Sequence, residues 1–451
     1  MYRKKLTILS LRILARAAWM FVAFLPVLTG SCAASDDDNE AEVLIDDDTV
    51  DDTAVADDSA PDDDHWMEKR SFHMAAAPVQ FAFREYWAGI VFDTTGFDGR
   101  VDAISLHQDF FGLPWDEFAS GAALPAAWVS EMTEIRDMAE ALGAPIYLSL
   151  TPLDGMRSTL APKATDQGGE LVLVENWAAP CFNFETGESA PALRRAYLDY
   201  AKWMVDFFEP RWLTNVIEMN LFYVSCPDAY GPLIDVANAV YDQEKSWRPG
   251  LIVFPTFVID ALYGYGGNGN CEVGDFSCLE DSLALNAGVR RDRIGISSYP
   301  LHMSYEWTRI PDDYFSLIAD MSGERVVFGE TGWATHPVWI PTEENPTECW
   351  RIFDTSDADQ IDYMRYLFEQ ADAMGSDLVT WWSLRDYLPR EMLDNCPCDA
   401  PGLWCTLYDA VEQTGLLPAW LGWGSMGVLD YDLNAKPSLE FWNEWLARPI
   451  K

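Results

Sequence analysis

Short apolar segments alternate with longer amphipathic segments along most of the chain after residue 70. Several short segments are almost wholly apolar and rich in β-branched residues, which is typical of parallel strands covered on both faces. The longer segments, such as Ala192–Phe208 and Asp357–Met374, have the periodicity of amphipathic helices. Eight strands that alternate with helices predict an α/β fold, a single (β/α)8 (TIM) barrel with long loops. The predicted strands lie within Phe72–Phe83, Val101–His107, Pro145–Pro152, Asn215–Phe222, Leu251–Ile259, Arg293–Tyr299, Arg325–Glu330 and Asp377–Ser383.

A doubly wound open sheet is the main rival to the barrel. In that fold a Gly-rich turn, which binds a phosphate group, follows the first strand. No such turn follows the first predicted strand of this chain. The pattern therefore favours the barrel.

The predicted strands end in polar or aromatic residues rather than in aliphatic ones. The C-terminal ends of barrel strands surround one mouth, and the chemistry of this fold takes place there. These positions are therefore the candidates for an active site. They are His107-Gln108-Asp109, Glu218-Met219-Asn220, Ser298-Tyr299-Pro300, Glu330-Thr331-Gly332-Trp333 and Trp381-Trp382-Ser383.

The first 32 residues form a targeting segment. A basic start is followed by the apolar run Ala17–Leu28, which is too short to span a membrane comfortably. The small residues before Cys32 resemble a bacterial lipobox, although Thr29 stands where such boxes usually have Leu. The resemblance implies that Cys32 is acylated and that the protein is exported and lipid-anchored to the cell envelope. The alternative is an ordinary secretory signal that is cleaved near Ala33 or Ala34.

An acidic segment follows the signal peptide. Residues Asp36–Asp64 contain 13 Asp and 2 Glu and neither Lys nor Arg. Such a segment buries too little apolar surface to fold, so we predict a disordered linker at residues 33–69. A calcium site is a weaker alternative, because the central Gly of the EF-hand pattern is missing. The barrel domain is predicted at residues 70–451.

The overall composition limits the partners. A net charge of −43 argues against a nucleic-acid partner, since phosphate binding needs a basic surface. The 20 Trp residues suit a cleft that stacks on sugar rings, although single Trp residues commonly belong to a core. We expect a monomer with a carbohydrate substrate, no cofactor, and contact with a membrane through the N-terminal lipid alone.

The cysteines agree with export. Eight remain besides Cys32, and an even number in an exported chain predicts disulfides. Cys271 and Cys278 are spaced to close a small loop, and a barrel would bring Cys181 and Cys226 together on one face. The last four should pair among themselves. Cys396-Pro397-Cys398 has no second pair at zinc spacing, so no metal site is expected. These last four cysteines are Cys349, Cys396, Cys398 and Cys405.

Glu330 is the strongest candidate for chemistry, because the apolar run Val326–Gly329 ends abruptly in its charge. Together with Ile294–Pro300 and Trp381–Ser383, the segment Val326–Trp333 resembles strands 6 to 8 of the clan A glycoside hydrolases, which include endo-galactanases, mannanases and cellulases. The resemblance covers roughly residues 75–445. It implies that Glu330 is the nucleophile, that Tyr299 hydrogen-bonds it, and that Trp382 or its neighbour Trp381 forms the floor of the sugar subsite.

The sequence identifies the acid/base residue that would act with Glu330 less clearly. The clan ends strand 4 with Asn-Glu, whereas this chain has Glu218-Met219-Asn220-Leu221. If Asn220 matches the Asn of the clan as a substrate-binding residue, Leu221 stands in the position of the acid/base. If Glu218 is the acid/base, it lies two residues earlier, and strand periodicity would point it to the same side as Asn220. We predict Glu218 as the acid/base. Asp228 and a purely structural role of Glu218 stay open.

Further polar residues are candidates for binding sugar hydroxyl groups. His107, Asp109 and Asp386 follow predicted strands, although a lone His is more often a core residue. Asp154 and Arg157 follow the third strand and are candidates for lining the cleft.

Two carboxyl groups across a glycosidic bond give hydrolysis with retention when they lie about 5 Å apart. The sequence therefore predicts retaining hydrolysis of β-glycosidic bonds in a polysaccharide or oligosaccharide. The alternative is a barrel that binds glycans without cleaving them, which the irregular strand 4 motivates. A structural or adhesive surface lipoprotein is a third reading.

Overall fold

The computed structural model describes residues 68–80, 92–108, 112–264, 277–301, 310–342, 348–394, 396 and 417–451. Parallel strands with helices between them form a nearly closed barrel, so the predicted (β/α)8 fold is confirmed. The eight barrel strands, numbered here in chain order, are His73–Ala76, Ala103–His107, Ile146–Ser149, Trp212–Thr214, Ile252–Phe254 with Thr256–Val258, Ile294–Ser298, Val326–Thr331 and Leu378–Trp381.

The fifth barrel strand is interrupted at Pro255. Its first part, Ile252–Phe254, pairs with strand 4, and its second part, Thr256–Val258, pairs with strand 6. Pro255 lies between the two parts and has no N–H to donate to a ladder. Strand 1 pairs with both strand 8 and strand 2. The two parts of strand 5 are the two edges of the ladder, so the backbone at Pro255 joins these edges and completes the ring.

Helices surround the barrel. The predicted helices at Ala192–Phe208 and Asp357–Met374 are confirmed, with observed bounds Ala190–Phe208 and Asp357–Ala373. Ser356 caps the latter by accepting a hydrogen bond from the Asp359 N–H. Within the described ranges, no helix is both long and apolar enough to cross a membrane. The other helices are Trp115–Ser120, Ala126–Leu142, Met219–Ser225, Pro227–Trp247, Ile259–Leu262, Ser277–Leu285, Ser316–Ser322, Arg390–Leu393, Leu417–Trp423 and Ser438–Ala447.

In the described ranges, three antiparallel pairs of strands lie outside the barrel. They are Val79–Gln80 with Phe92–Asp93, Lys163–Gln167 with Glu170–Val174, and Val338–Pro341 with Cys349–Phe353.

The interior of the barrel changes from apolar to polar toward the mouth. One layer of inward-facing side chains packs as an apolar cluster, formed by Ala75, Ala103, Tyr147, Trp212, Phe254, Val327 and Leu378. Two residues further along the strands, the same side of the sheet carries small hydroxyl groups. These buried residues are Ser105, Ser149, Thr214, Thr256 and Thr380. These hydroxyl side chains form a polar layer beneath His107 and Glu330, which lie in the next layer toward the mouth.

Strand 4 differs from the prediction. It spans Trp212–Thr214 rather than Asn215–Phe222, and Met219–Ser225 is a helix. Glu218 lies in the turn directly before this helix, with a φ of 49° and a ψ of 41°, in the left-handed region. A short apolar run does not distinguish a strand from a buried helix by composition, which explains the error. Glu218 and Asn220 are therefore not in a strand, and the prediction that strand periodicity points them to the same side is wrong.

The cysteines are disulfide-bonded as predicted where the structure describes them. Cys181 is bonded to Cys226 and Cys349 to Cys396, so Cys396 is engaged in a disulfide. Cys278 is also disulfide-bonded, which agrees with a pair to Cys271. Residues 271, 398 and 405 lie outside the described residues. So do the predicted signal peptide, Cys32 and most of the acidic linker, which stay predictions.

Candidate active site

Glu330 lies at the mouth end of strand 7, within Val326–Thr331. The pairing register of this strand shifts between Phe328 and Thr331, an irregularity of the kind that turns side chains at active sites. Gly329 makes this possible, because a Cβ there would lie 2.6 Å from the Thr256 methyl group and 2.8 Å from the Tyr147 hydroxyl group. A glycine before the glutamate thus lets the strand pass close to its neighbours while Glu330 reaches the mouth.

Tyr299 and His107 contact the Glu330 carboxylate. The Tyr299 hydroxyl group donates a hydrogen bond of 3.0 Å to Oε2, and His107 Nδ1 lies 3.3 Å from Oε1. Burial raises the pKa of Tyr299 well above its usual value, and the charges of Glu330 and Glu218 raise it further. The tyrosine therefore stays protonated, and its hydroxyl group donates a hydrogen bond to Glu330. Each oxygen of Glu330 has a defined partner, which fixes the direction of the carboxylate.

Trp382 lies beside this group. Its ring meets the His107 ring edge to face, with centroids 5.0 Å apart, and its backbone N–H donates to the Thr331 carbonyl at 2.7 Å. Trp381 is fully buried and its indole donates to the Met426 carbonyl at 2.7 Å, on the opposite side of the strand. Of the two predicted tryptophans, the structure therefore places Trp382 against His107, which itself lies beside Glu330.

Glu218 forms an ion pair with Arg157. The Arg157 Nη2 atom lies 3.1 Å from Oε2 of Glu218, and the two side chains are 4% and 16% exposed. The Glu218 N–H donates to Thr256 Oγ1 at 2.8 Å, which ties it to strand 5. Glu218 follows the C-terminal end of strand 4 and Glu330 ends strand 7, so both lie at the same end of the barrel. The charges of both carboxylates raise the pKa of Tyr299. The cation at Glu218 favours its ionised form.

A disulfide joins the loop after strand 3 to the segment that follows Glu218. Cys181 is bonded to Cys226, which directly follows the helix that begins after Glu218, and the Cys181 N–H donates to the Ser158 carbonyl at 2.9 Å. Arg157, Cys181 and Glu218 all have positive φ values, of 52°, 56° and 49°. Such backbone conformations are costly for residues other than glycine and are found preferentially at functional sites. The loop after strand 3 is thus fastened against the end of strand 4.

Other predicted residues lie in structural contacts. Asn220 is buried and exchanges two hydrogen bonds with Val258, donating to its carbonyl at 2.9 Å and accepting from its N–H at 2.8 Å. Asp228 is exposed in the first turn of the helix Pro227–Trp247. Asp154 accepts hydrogen bonds from the Ser158 and Thr159 N–H groups and shapes the turn that carries Arg157. Neither Asn220 nor Asp154 is thereby directed to a substrate.

Asp386 also has internal partners. It pairs with Lys436 at 2.9 Å and accepts a hydrogen bond of 2.7 Å from the Gly427 N–H. Burial raises the pKa of Asp386 to about 6, although Lys436 acts in the opposite direction. This arrangement joins the loop after strand 8 to the C-terminal segment. Asp109 lies outside the described residues.

Sequence reasoning missed Trp423. Its ring lies edge to face with Tyr299, with centroids 6.0 Å apart, so it supports the residue that orients Glu330. The spacing of Trp420 and Trp423 on one helix was the available signal, but many of the 20 Trp residues have such neighbours. In the part of the chain that the structure describes, no three His, Cys, Asp or Glu side chains are grouped so that they could hold a metal ion.

No protein-family profile matches the sequence, and no curated protein matches it. Among solved structures, an exo-β-1,4-mannosidase from Opitutaceae bacterium strain TAV5 is similar, with 11% identity and a TM-score of 0.47. That match covers 85% of this chain and 61% of the mannosidase, so this chain spans less than two thirds of its length.

A GH5_18 protein from Bifidobacterium longum subsp. longum, solved in complex with Manb1-4GlcNAc, has 14% identity and a TM-score of 0.47, over 84% of this chain and 80% of that chain. Fungal β-1,4-galactanases show 12% identity and a TM-score of 0.43, over 76% of this chain and 87% of that chain. Identities this low, with TM-scores below 0.5, carry no information about the substrate of this chain.

Proposed function

We propose that this protein hydrolyses β-glycosidic bonds in a polysaccharide or oligosaccharide with retention of the anomeric configuration. The observation that carries the proposal is the Glu330 carboxylate at the barrel mouth, held through one oxygen by Tyr299 and lying close to His107 through the other. A second carboxylate, Glu218, follows the C-terminal end of strand 4 at the same end of the barrel, and its charge raises the pKa of Tyr299. Two carboxylates at one mouth are what glycoside hydrolysis requires.

The reaction would proceed in two steps. Glu330 attacks the anomeric carbon while the bond to the leaving oxygen breaks and Glu218 gives its proton to that oxygen. The product of this step is a glycosyl ester on Glu330. In the second step Glu218 takes a proton from water, the water oxygen bonds to the anomeric carbon, and Glu330 leaves as a carboxylate.

The surrounding residues support these steps. The Tyr299 hydrogen bond orients Glu330 toward the anomeric carbon and stabilises the carboxylate before attack. Trp382 lies against His107 with a small part of its ring exposed, and aromatic rings pack against the C–H groups of sugar rings. The ion pair with Arg157 favours the ionised form of Glu218, which suits the second step and opposes the first.

The function is tested by the release of reducing sugars from β-galactan, β-mannan, β-glucan and xylan, together with NMR observation of the first anomer formed. We expect release from at least one polymer, with the β-anomer as the first product. An α-anomer formed first would contradict the retaining mechanism.

A glycan-binding barrel without catalysis is the second candidate function. It is favoured by the Arg157–Glu218 ion pair, because a carboxylate that stays ionised donates no proton. Absence of release from every polymer, together with micromolar binding to one of them, would support this function.

Arg157 offers a sharper test of the mechanism through pH. Replacing it with Met removes the cation beside Glu218, so Glu218 should keep its proton to higher pH. We expect the alkaline limb of the pH profile of kcat/KM to move to higher pH. Arg157→Lys keeps the charge and should move the limb less. An unchanged limb in a folded Arg157→Met protein would show that Arg157 does not act on the proton donor.

We also propose that the protein is exported and anchored through Cys32. The disulfides Cys181–Cys226 and Cys349–Cys396 agree with an oxidising compartment. When the full chain is expressed in bacteria, mass spectrometry should show a mature N-terminus at Cys32 that carries lipid, and Cys32→Ser should release the protein from membranes. A lipid-free N-terminus near Ala33 would indicate an ordinary secretory signal instead.

A further inference from the structure

The disulfide between Cys181 and Cys226 lies beside the ion pair of Arg157 and Glu218. Both cysteines contact the carbonyl group of Ser158, the residue that directly follows Arg157. The Cys181 N–H donates a hydrogen bond of 2.9 Å to this oxygen, and the Cys226 Sγ atom lies 3.8 Å from it. The disulfide therefore packs on the backbone of the turn that carries Arg157.

The turn that carries Arg157 is held together by its own hydrogen bonds. Asp154 Oδ1 accepts hydrogen bonds from the Ser158 and Thr159 N–H groups at 2.7 and 3.0 Å. The Asp154 N–H donates to the Thr159 carbonyl at 3.0 Å. The Arg157 side chain belongs to the same unit, because its Nη1 atom donates to the Asp154 carbonyl at 2.9 Å. The guanidinium group should therefore move together with the turn, and its position depends on what holds the turn.

The other half of the disulfide belongs to the segment that begins at Glu218. The helix Met219–Ser225 starts directly after Glu218, and Cys226 follows the helix with its N–H bonded to the Phe222 carbonyl at 2.7 Å. The Glu218 N–H donates to Thr256 of strand 5, so this segment is anchored on the barrel. The disulfide is therefore a covalent link between the element that carries the cation and the element that carries the carboxylate.

Other titratable groups lie around this ion pair. Tyr299, at the end of strand 6, interacts with the charges of both Glu218 and Glu330. Asp154 lies on the side of Arg157, and burial raises the pKa of Asp154 while the charge of Arg157 acts in the opposite direction. A like charge opposes the ionisation of Glu218, whereas the cation at 3.1 Å favours it. The protonation of Glu218 therefore depends on how closely Arg157 is held to it.

We propose that the Cys181–Cys226 disulfide is a positioning element for the acid/base, because it holds Arg157 against Glu218 and thereby controls the protonation of Glu218. This inference rests on the proposed function and adds two cysteines that act on the reaction through Arg157. Without the disulfide, the turn loses its covalent link to the segment after strand 4 and the cation can move away. Glu218 then keeps its proton to higher pH.

Titration of the glutamate carboxyl groups by ¹³C NMR measures this effect directly and needs no substrate. The protein is labelled at the glutamate Cδ atoms, and the Glu218 signal is the one that is absent from Glu218→Gln. In Cys181→Ser/Cys226→Ser, Glu218 should titrate at higher pH than in the parent. If the parent cleaves a β-glycoside, the alkaline limb of its pH profile of kcat/KM should move in the same direction.

The matched control is Cys349→Ser/Cys396→Ser, which removes the other described disulfide. The two disulfides join residues 45 and 47 positions apart, so their loss should lower the melting temperature by similar amounts. In the control, Glu218 should titrate as in the parent. The comparison therefore separates a general loss of stability from an effect on Glu218.

Arg157→Met tests whether the disulfide acts through Arg157. Removal of the disulfide from Arg157→Met should leave the titration of Glu218 where Arg157→Met alone places it, because both changes remove the same interaction. Reduction of the folded control variant with dithiothreitol gives a second measurement should Cys181→Ser/Cys226→Ser not fold. The dithiol is oxidised to its cyclic disulfide, and Cys181 and Cys226 become thiols. The same shift to higher pH is expected.

The inference is overturned if Glu218 titrates at the same pH with and without the Cys181–Cys226 disulfide, or if the control variant moves the titration equally. It is also overturned if loss of the disulfide still moves the titration in Arg157→Met. These outcomes differ from failure of the proposed function. A protein in which the disulfide shifts Glu218 through Arg157 but which cleaves no β-glycoside would support the positioning role and contradict the hydrolase.

Discussion

Replacement of Glu330 by Gln should lower kcat by about 10⁴- to 10⁶-fold on every β-glycoside that the protein cleaves, which is the scale observed when an enzyme loses its nucleophile. Glutamine has nearly the same shape and can still accept a hydrogen bond from Tyr299, so the fold should persist. The measurement is kcat on an aryl β-glycoside, with thermal unfolding as a check of the fold.

Tyr299→Phe is the matched control for this prediction. It removes the hydrogen bond of 3.0 Å to Glu330 but leaves the carboxylate. A hydrogen bond to a charged group contributes about 1.5–3 kcal/mol, so activity should fall about 10- to 150-fold. Residual activity of Glu330→Gln within tenfold of the parent would show that another group attacks the sugar.

Added azide distinguishes the nucleophile from other roles of Glu330. In Glu330→Ala the removed side chain leaves space on the face from which Glu330 attacks. Azide that enters there should give a glycosyl azide of α configuration, because one displacement replaces two. A β-glycosyl azide from this variant would place Glu330 on the side of the leaving group and would make it the acid/base.

Replacement of Glu218 by Ala should produce losses that depend on the leaving group. Oligosaccharides need a proton on the departing oxygen, and their cleavage should fall about 10²- to 10⁴-fold, as is typical when general acid catalysis is lost. A 2,4-dinitrophenyl β-glycoside needs no such proton, so its first step should be nearly unchanged. Azide should then restore turnover and yield a β-glycosyl azide.

Asp228→Ala is the matched control for Glu218, since Asp228 is an exposed carboxylate just after the same disulfide-bonded turn. We expect parental activity on both kinds of substrate. An equal loss on both substrates in Glu218→Ala, or leaving-group dependence in Asp228→Ala, would contradict the role of Glu218. Because Glu218→Ala leaves the buried Arg157 without its carboxylate, a loss of about 3 kcal/mol in stability is expected, and Glu218→Gln separates the two effects.

The barrel was predictable because its strands have a distinctive composition. Runs such as Ile294–Ser298 and Val326–Thr331 are short and almost wholly buried, and helices of clear periodicity separate them. The resemblance to clan A glycoside hydrolases implied the hydrogen bond between Tyr299 and Glu330, and the structure has it, with the two residues at the ends of neighbouring strands. Parallel strands bring such ends to one mouth, whatever the lengths of the loops between them.

The region after strand 4 was not predictable in the same way. Met219–Ser225 is apolar and short, so its composition suits a strand as well as a helix, and the left-handed conformation of Glu218 has no signature in the sequence. The ion pair of Glu218 with Arg157 joins residues far apart in the chain, and it depends on how the loop after strand 3 folds back under the Cys181–Cys226 disulfide.

Tertiary partners explain the remaining differences. Asp386 follows a strand, as a substrate-binding residue would, but Lys436 and the Gly427 N–H occupy its oxygens. Trp381 and Trp382 are adjacent in sequence, and their opposite directions follow from the alternation of side chains along a strand. Trp382 faces the mouth because its neighbour two residues earlier, Thr380, lies on the inner side of strand 8.

The most direct test of the account is the mass of the protein after reaction with an activated 2-deoxy-2-fluoro-β-glycoside of the sugar that it cleaves, followed by peptide mapping. The fluorine slows hydrolysis of the glycosyl ester, so the intermediate should accumulate. We predict one added fluoroglycosyl group, located on Glu330 and absent from Glu330→Gln. A label on another carboxylate, or turnover without any label and with an α-anomer as the first product, would contradict the assignment of Glu330 as the nucleophile of a retaining glycoside hydrolase.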